Sequence, residues 1–227
     1  MLVLGVETST ESTSLGIIEN NSPLIEINSF TPFTHSEKIN ILLKNIFEVI
    51  DIGFKDLKLL AVSIGPGYFT ALRVGLSFVK AIEFVHKIPV VGVITLDALA
   101  HETPFCRGNL KVIPIIDAQK GQVYTVTYHC KGNKLERVTD YSIVSPADIE
   151  FDAETVFIGA GKGAEFFKDS NVILKKSPSS LTIAKLGLEK YLKSGADDVT
   201  LLEPFYLRIT DAEARFGETD KTYPISG

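Results

Sequence analysis

The sequence predicts an α/β protein in two related halves, each a mixed sheet carrying helices. Three observations lead there. Short apolar runs separated by turn residues open the chain. Two amphipathic helical segments then alternate with fully apolar strands. After residue 103 a second series of strands, again followed by a helix, repeats the order imperfectly. The elements follow in turn. Residues 2–6 are an apolar run that breaks at Glu7-Thr8-Ser9-Thr10, 14–18 a second run ending at Glu19-Asn20-Asn21-Ser22, and 23–29 a third. Three short strands with turn residues between them read as an antiparallel meander. Thr34 and Glu37 have capping-box spacing ahead of a helical pattern running to Asp51. A continuous apolar strand at 59–64 leads into Gly65-Pro66-Gly67, a helix at 70–86 and a buried strand at 89–94. In the second half, 111–116, 122–128, 134–141 and 155–158 read as strands. A last helix, 181–193, stops at Ser194-Gly195 as a C-terminal cap does. The division expected is a first lobe over 1–103, a second over 104–210, and a polar, flexible tail over 211–227.

Composition narrows the function classes. The chain has 227 residues, of which 45% are hydrophobic and 22% charged. That hydrophobic share is enough for an ordinary core and too much for a disordered chain. Lys+Arg 23 against Asp+Glu 28 gives a net charge of −5, which makes a poor stand-alone nucleic-acid binder because phosphate affinity comes from clustered Lys and Arg. Cys106 and Cys130 lie far apart without a CxxC, so reduced thiols are expected rather than a disulfide or a thiolate metal site. The N-terminus lacks the basic segment of a signal peptide, and no run approaches the ~20 apolar residues of a membrane span. The expectation is a cytoplasmic protein with no membrane contact.

Several motifs carry both a chemical and a structural reading. Gly65-Pro66-Gly67-Tyr68-Phe69-Thr70 lies between a strand and a helix, where backbone N–H groups can meet an anion. It lacks the Gly-Lys-Ser/Thr ending of a P-loop and the third glycine of a dinucleotide fingerprint, which favours a tight turn. Gly67 is expected to resist substitution, through a positive φ or close strand–helix packing. Glu7 and Thr8 sit at a hairpin tip where hydroxyls and backbone amides can meet phosphates and a carboxylate can face a metal-bound water, or where they simply form a hydrogen-bonded turn. Asp117 opens a comparable hairpin in the second half, and Gly159-Ala160-Gly161-Lys162-Gly163 reads as a turn. The weak cofactor-site candidates are therefore Glu7, Thr8, Gly65, Gly67 and Asp117. The four histidines include no i, i+4 pair, so the residues support neither a metal site nor a metalloprotease. No GxSxG elbow of a serine hydrolase is present. His35 reads as a first-turn residue on a polar surface.

The two helices of the first half carry apolar arcs of roughly 160°, against the ~100° that one sheet covers. Either the helices bury the excess against each other, or a partner protein covers it. The outer-arc residues expected at such an interface are Ile39, Leu43, Phe47, Leu72, Leu76 and Val79.

The segments LGVETSTESTSLGI (4–17), HSEKINILL (35–43), SIGPGYFTALRVGL (63–76), DAQKGQVY (117–124) and EPFYLR (203–208) resemble the TsaB (YeaZ-type) family of the bacterial tRNA threonylcarbamoyladenosine machinery. The Gly-Pro-Gly-aromatic-Thr-x-Leu-Arg-x-Gly stretch is the specific part. Tyr68 replaces the usual Ser, Ala71 the usual Gly and Glu7 the usual Asp. The resemblance implies a two-lobe actin-like ATPase (ASKHA) fold shared with a catalytic paralogue, TsaD. It also implies a non-catalytic scaffold subunit that binds TsaD, or a second copy of itself, through the first-lobe helices. An ATPase subunit, TsaE, would join the assembly. ATP and metal are expected on partner subunits, none in this chain, with tRNA held mainly by partners. The alternative is an autonomous actin-like ATPase or small-molecule kinase using Glu7 and Asp117.

Overall fold

The computed structural model describes residues 1–32, 34–168 and 170–208; the tail expected over 211–227 lies outside the described residues. The first sheet comprises β1 (Leu2–Glu7), β2 (Thr13–Glu19), β3 (Ser22–Ser29), β4 (Leu57–Gly65) and β5 (Val90–Ile94), in the order β3-β2-β1-β4-β5. β1 pairs antiparallel with β2 and parallel with β4. The second sheet holds β6 (Lys111–Asp117), β7 (Val123–Thr125), β8 (Tyr128–Lys131), β9 (Lys134–Arg137), β10 (Ser142–Val144), β11 (Thr155–Ala160) and β12 (Val172–Lys175). Its main path, β10-β7-β6-β11-β12, repeats the first sheet's pattern of antiparallel and parallel pairs, with β8–β9 as an added hairpin.

Period-2 alternation gives each strand of the first sheet two faces. Leu4, Val6, Leu15 and Ile17 meet helices α1 (His35–Ile50) and α2 (Phe69–His86) on one side. Val3, Ile18, Leu59 and Ala61 meet α4 (Ser180–Ser194) on the other. The last helix thus returns from the second half of the chain to cover the first sheet. Close approach makes this possible: a Cβ at Gly5 would overlap the Ser180 carbonyl, and one at Gly187 would overlap Ala61. Carboxylates hold the entry of α4. Glu26 Oε1 accepts from Ser179 Oγ at 2.6 Å and Ser180 Oγ at 3.0 Å, and Glu102 Oε1 accepts from the Ser179 N–H at 2.5 Å. Negative charge is favoured there because the first N–H groups of a helix lack internal partners. Helix α3 (Thr95–His101) packs with Val112, Tyr128 and Ile158 of the second sheet, and its Asp97 accepts from the Tyr128 and Tyr141 hydroxyls.

Several expectations need correction. Cys106 and Cys130 are disulfide-bonded, their Cα atoms 5.3 Å apart; sequence distance concealed that the β6–β8 pairing brings the 102–110 segment beside β8. Thr34 makes no side-chain cap; its hydroxyl donates to Thr31 O. His35 is in the first turn but 5% exposed, because Thr13 Oγ1 holds its Nδ1 at 2.8 Å. The strand expected over 122–128 is two strands, since β7 continues the path to β10 while β8 pairs further back along β6.

Replacing Gly187 with Val should overpack the α4–sheet contact by ~1–3 kcal/mol and lower Tm by about 3–10 °C. Gly53→Ala, where no atom lies within 4 Å of the new Cβ, should leave Tm within a degree or so, about the surface-substitution range. Calorimetry on both variants checks this; equal melting would show that α4 does not touch the sheet as described.

Candidate functional site at the inter-lobe cleft

The two hairpin turns singled out in the sequence, 7–12 and 117–122, differ in their relation to the cleft between the lobes. The first turn is folded in on itself. Glu7 is 0% exposed, and its Oε1 accepts from the Ser9 N–H at 2.5 Å and from the Ser9 hydroxyl. The Thr8 hydroxyl donates to Ala71 O at 2.8 Å, and Thr10 Oγ1 and Ser12 Oγ lie 3.3 Å apart. The Thr8, Ser9, Thr10 and Ser12 hydroxyls are therefore committed within the chain, as short polar side chains at turns tend to be.

Glycines allow this turn to press on α2. A Cβ at Gly67 would overlap the Ser9 carbonyl, and one at Gly75 would overlap the Thr8 hydroxyl. Gly67 has no positive φ, so its constraint is the close approach of the 8–10 backbone and not its own conformation. Gly65 does have one, at φ +116°, and its missing Cβ leaves 2.8 Å to Phe205 O.

The second turn opens to the cleft. Gln119, Lys120 and Gly121 are successive left-handed residues, and Asp117 Oδ1 accepts from the Gln119 N–H at 2.9 Å. Asp117, Lys120, Gly67, Tyr68, Phe69, Tyr124, Tyr206 and Arg208 line a cavity of about 170 Å³. Tyr68 reaches across it toward Asp117 Oδ2, 3.4 Å away, and its phenol is pushed up to about 12 by burial, with the Asp117 and Glu11 carboxylates adding to the effect. Gly163 backs the same turn: a Cβ there would lie 2.5 Å from Asp117 N. Of the five cofactor-site candidates, Gly67 and Asp117 line the cleft, while Glu7, Thr8 and Gly65 are not among its lining residues. The contribution of Tyr206 and Arg208 was missed, because their 203–208 segment returns from far along the chain. Among the described residues no group of three or more His, Cys, Asp or Glu is placed to hold a metal ion. No described helix is long and apolar enough to cross a membrane.

The expected interface residues are corrected as well. Ile39, Leu43, Leu72, Leu76 and Val79 are 5% exposed or less and serve as core, and Phe47 is half-buried. Contact between α1 and α2 absorbs much of the excess apolar arc. The apolar side chains these helices do expose are Ile41, Val49, Phe84 and Val85.

Burial raises the Glu7 carboxyl from 4.5 to about 7, with the Ser9 and Ser63 hydrogen bonds opposing the rise. Between these values the unfolded chain releases a proton that the folded chain keeps. The contribution of Glu7 to stability is therefore full below pH 4.5 and is lost as pH rises through about 7. Glu7→Gln cannot ionise, so the variant should gain stability relative to the parent between pH 5 and 8, by on the order of 3 kcal/mol. Urea unfolding across that range measures the difference; parallel pH profiles would show that Glu7 titrates as an ordinary carboxyl.

Comparison with known proteins places this geometry. Residues 31–168 match the family model of TsaD, tRNA N6-adenosine threonylcarbamoyltransferase. The tRNA threonylcarbamoyladenosine biosynthesis protein TsaB of Bacillus subtilis is 28% identical, over 97% of this chain and 100% of that protein. The TsaB of Escherichia coli is 26% identical, over 92% and 95%. The tRNA N6-adenosine threonylcarbamoyltransferase of Leptospira interrogans is 32% identical, over 43% of this chain and 34% of its own length. Among solved structures, YeaZ from Pseudomonas aeruginosa aligns with TM-score 0.77 at 21% identity, over 91% of this chain and 99% of that one. The ethanolamine utilization protein EutJ of Carboxydothermus hydrogenoformans aligns with TM-score 0.50 at 12% identity, over 82% and 90%. The structural likenesses are of fold alone, and that fold is the two-lobe actin-like ATPase architecture. With more than half its length matched, the chain belongs to the TsaD family, and it is similar along nearly its whole length to the TsaB proteins.

Proposed function

We propose that the chain is a non-catalytic subunit required for threonylcarbamoyl transfer to the adenosine next to the anticodon of tRNAs, acting by binding a catalytic TsaD-type partner. The observation that carries this reading is the state of the cleft. Its first turn is closed on itself around a buried carboxyl, and Tyr68, Phe69 and Tyr206 stand in the remaining space. The full-length likeness to TsaB proteins supports it. ATP and metal belong on partner subunits in this reading, with a TsaE-type ATPase joining the assembly and tRNA held mainly by partners. A pair of identical chains is the arrangement proposed when the partner is absent, and the cytoplasm is the proposed compartment. An autonomous ATPase or kinase would need Glu7 free to work in the cleft, whereas its Oε1 is committed to Ser9.

The partner surface proposed is the outer side of α1 and α2. Phe84 is 75% exposed, Val49 and Val85 69%, and Ile41 52%. Separately, Leu43, Phe47, Ile52 and Phe54 border a groove of about 470 Å³ at the C-terminal half of α1. An ordinary specific interface needs ~800 Å² per partner, and apolar side chains at its centre supply most of the affinity.

Co-purification with the TsaD homologue of the same genome tests the reading, and a one-to-one complex is expected. Phe84→Glu and Ile41→Glu should weaken the complex ~100-fold or more, by placing an unpaired charge in the contact, without changing Tm. Leu76→Glu should fail to fold, because Leu76 is 5% exposed. If both exposed-site variants pair normally, the partner covers another face; if no complex forms at all, the subunit reading fails.

A further inference from the structure

Residues 202–208 cross from one lobe to the other outside any strand or helix. Leu202 belongs to the first lobe's core, where its side chain lies against Gly92 of β5. The Phe205 N–H donates to Ile64 O at the end of β4, at 2.6 Å. Its ring turns the other way and meets Tyr141 of the second lobe edge-on, with centroids 5.4 Å apart. Tyr206 points back to the first lobe, where it stacks on Phe69 at 4.7 Å and its hydroxyl accepts from Arg73 Nε at 3.0 Å. Leu207 turns again into the second lobe's core, 6% exposed, and Arg208 donates to Gln122 Oε1 at 2.6 Å.

Contacts on both sides, with Leu207 and Arg208 both on the second lobe, tie the two lobes to one short segment, and the segment lies in the space between them. Tyr206 and Arg208 line an inter-lobe cavity of about 170 Å³, and a second cavity of about 320 Å³ adjoins it at Tyr68, Phe69 and Gln119. The Arg73 guanidinium lies 3.8 Å from the centre of the Phe69 ring, so that ring has a cation as well as the Tyr206 phenol against it. The absence of a Cβ at Gly65 is what lets the segment lie on the end of β4.

We propose that residues 202–208 are an intramolecular strap that fixes the angle between the lobes, so that the chain presents its surfaces as one rigid body. The strap is independent of any partner and stands whether or not the chain binds a TsaD-type enzyme. Strap and lobes are coupled through side chains at the cleft and not through the two cores alone. Loss of the Tyr206 ring and the Arg208 guanidinium therefore frees the lobes without unfolding either.

Amide hydrogen exchange on the full chain tests this, with the parent and Tyr206→Ala/Arg208→Ala compared. The expected result is about tenfold faster exchange in the double variant at residues 64–69 and 117–123, with β1 and β11 unchanged. Unchanged exchange at both cleft turns would overturn the strap. Should the double variant not fold, Tyr206→Ala and Arg208→Ala are compared singly with the parent: faster exchange at 64–69 and 117–123 is expected in each, and unchanged exchange at both segments in both variants would overturn the proposal.

Discussion

The structure depends on one close approach, that of the 8–10 backbone to the beginning of α2. Two missing Cβ atoms, at Gly67 and Gly75, make room for it. Its consequences run outward. Thr8 is anchored on Ala71 O, and Ser9 folds back onto Glu7 while its carbonyl accepts from the Tyr68 N–H at 2.8 Å. Tyr68 is thereby set at the mouth of the cleft, where its phenol faces Asp117 on the opposite lobe. A loop with the composition of an anion cradle is thus used as a packing surface. The carboxyl beneath it has no water to ionise into, and so it holds its proton to about pH 7.

A second constraint is topological. The chain makes the same five-strand path twice and then returns to its beginning, laying α4 on the first sheet. A return of this kind ties the two halves together by covalent continuity, since neither lobe is completed by its own half alone. The cluster of Glu26, Glu102 and Ser179 fixes where α4 starts, and Gly5 and Gly187 fix how near it lies. After α4 the chain can only leave along the lobe boundary, which is where residues 202–208 run. The proposed scaffold role fits such an architecture, in which Tyr68, Phe69 and Tyr206 line the cleft between the lobes.

Much of this was legible in the sequence, for reasons that also explain what was not. The first-lobe strands and helices were readable because their apolar runs are bounded by turn residues and their periodicities are clean. The repetition of the strand path was visible as an order of elements even without sequence identity between the halves. Short β10 and β12, three and four residues long, and the seven-residue α3 carry too little periodicity to stand out. The 160° arcs on α1 and α2 were real, yet arc width cannot say which side is turned inward. Ile39, Leu72 and Val79 therefore looked like surface and are core, whereas Phe84 near the end of α2 is the exposed ring. Contacts between distant segments left no sequence signal at all. Cys106 with Cys130, Phe205 with Ile64 and Gly67 with Ser9 are examples.

In the function proposed above, this chain supports a modification reaction without performing chemistry. Reconstitution with purified TsaD-type and TsaE-type proteins, ATP, threonylcarbamoyl-adenylate and unmodified tRNA tests it most directly, with the parent chain exchanged for a Glu7→Gln/Asp117→Asn variant. Omitting the chain is expected to abolish modified adenosine, and the variant is expected to restore it to within about twofold of the parent, a difference of ~0.4 kcal/mol in barrier. A variant that still forms the complex but restores no modification would place chemistry in this chain and contradict the account.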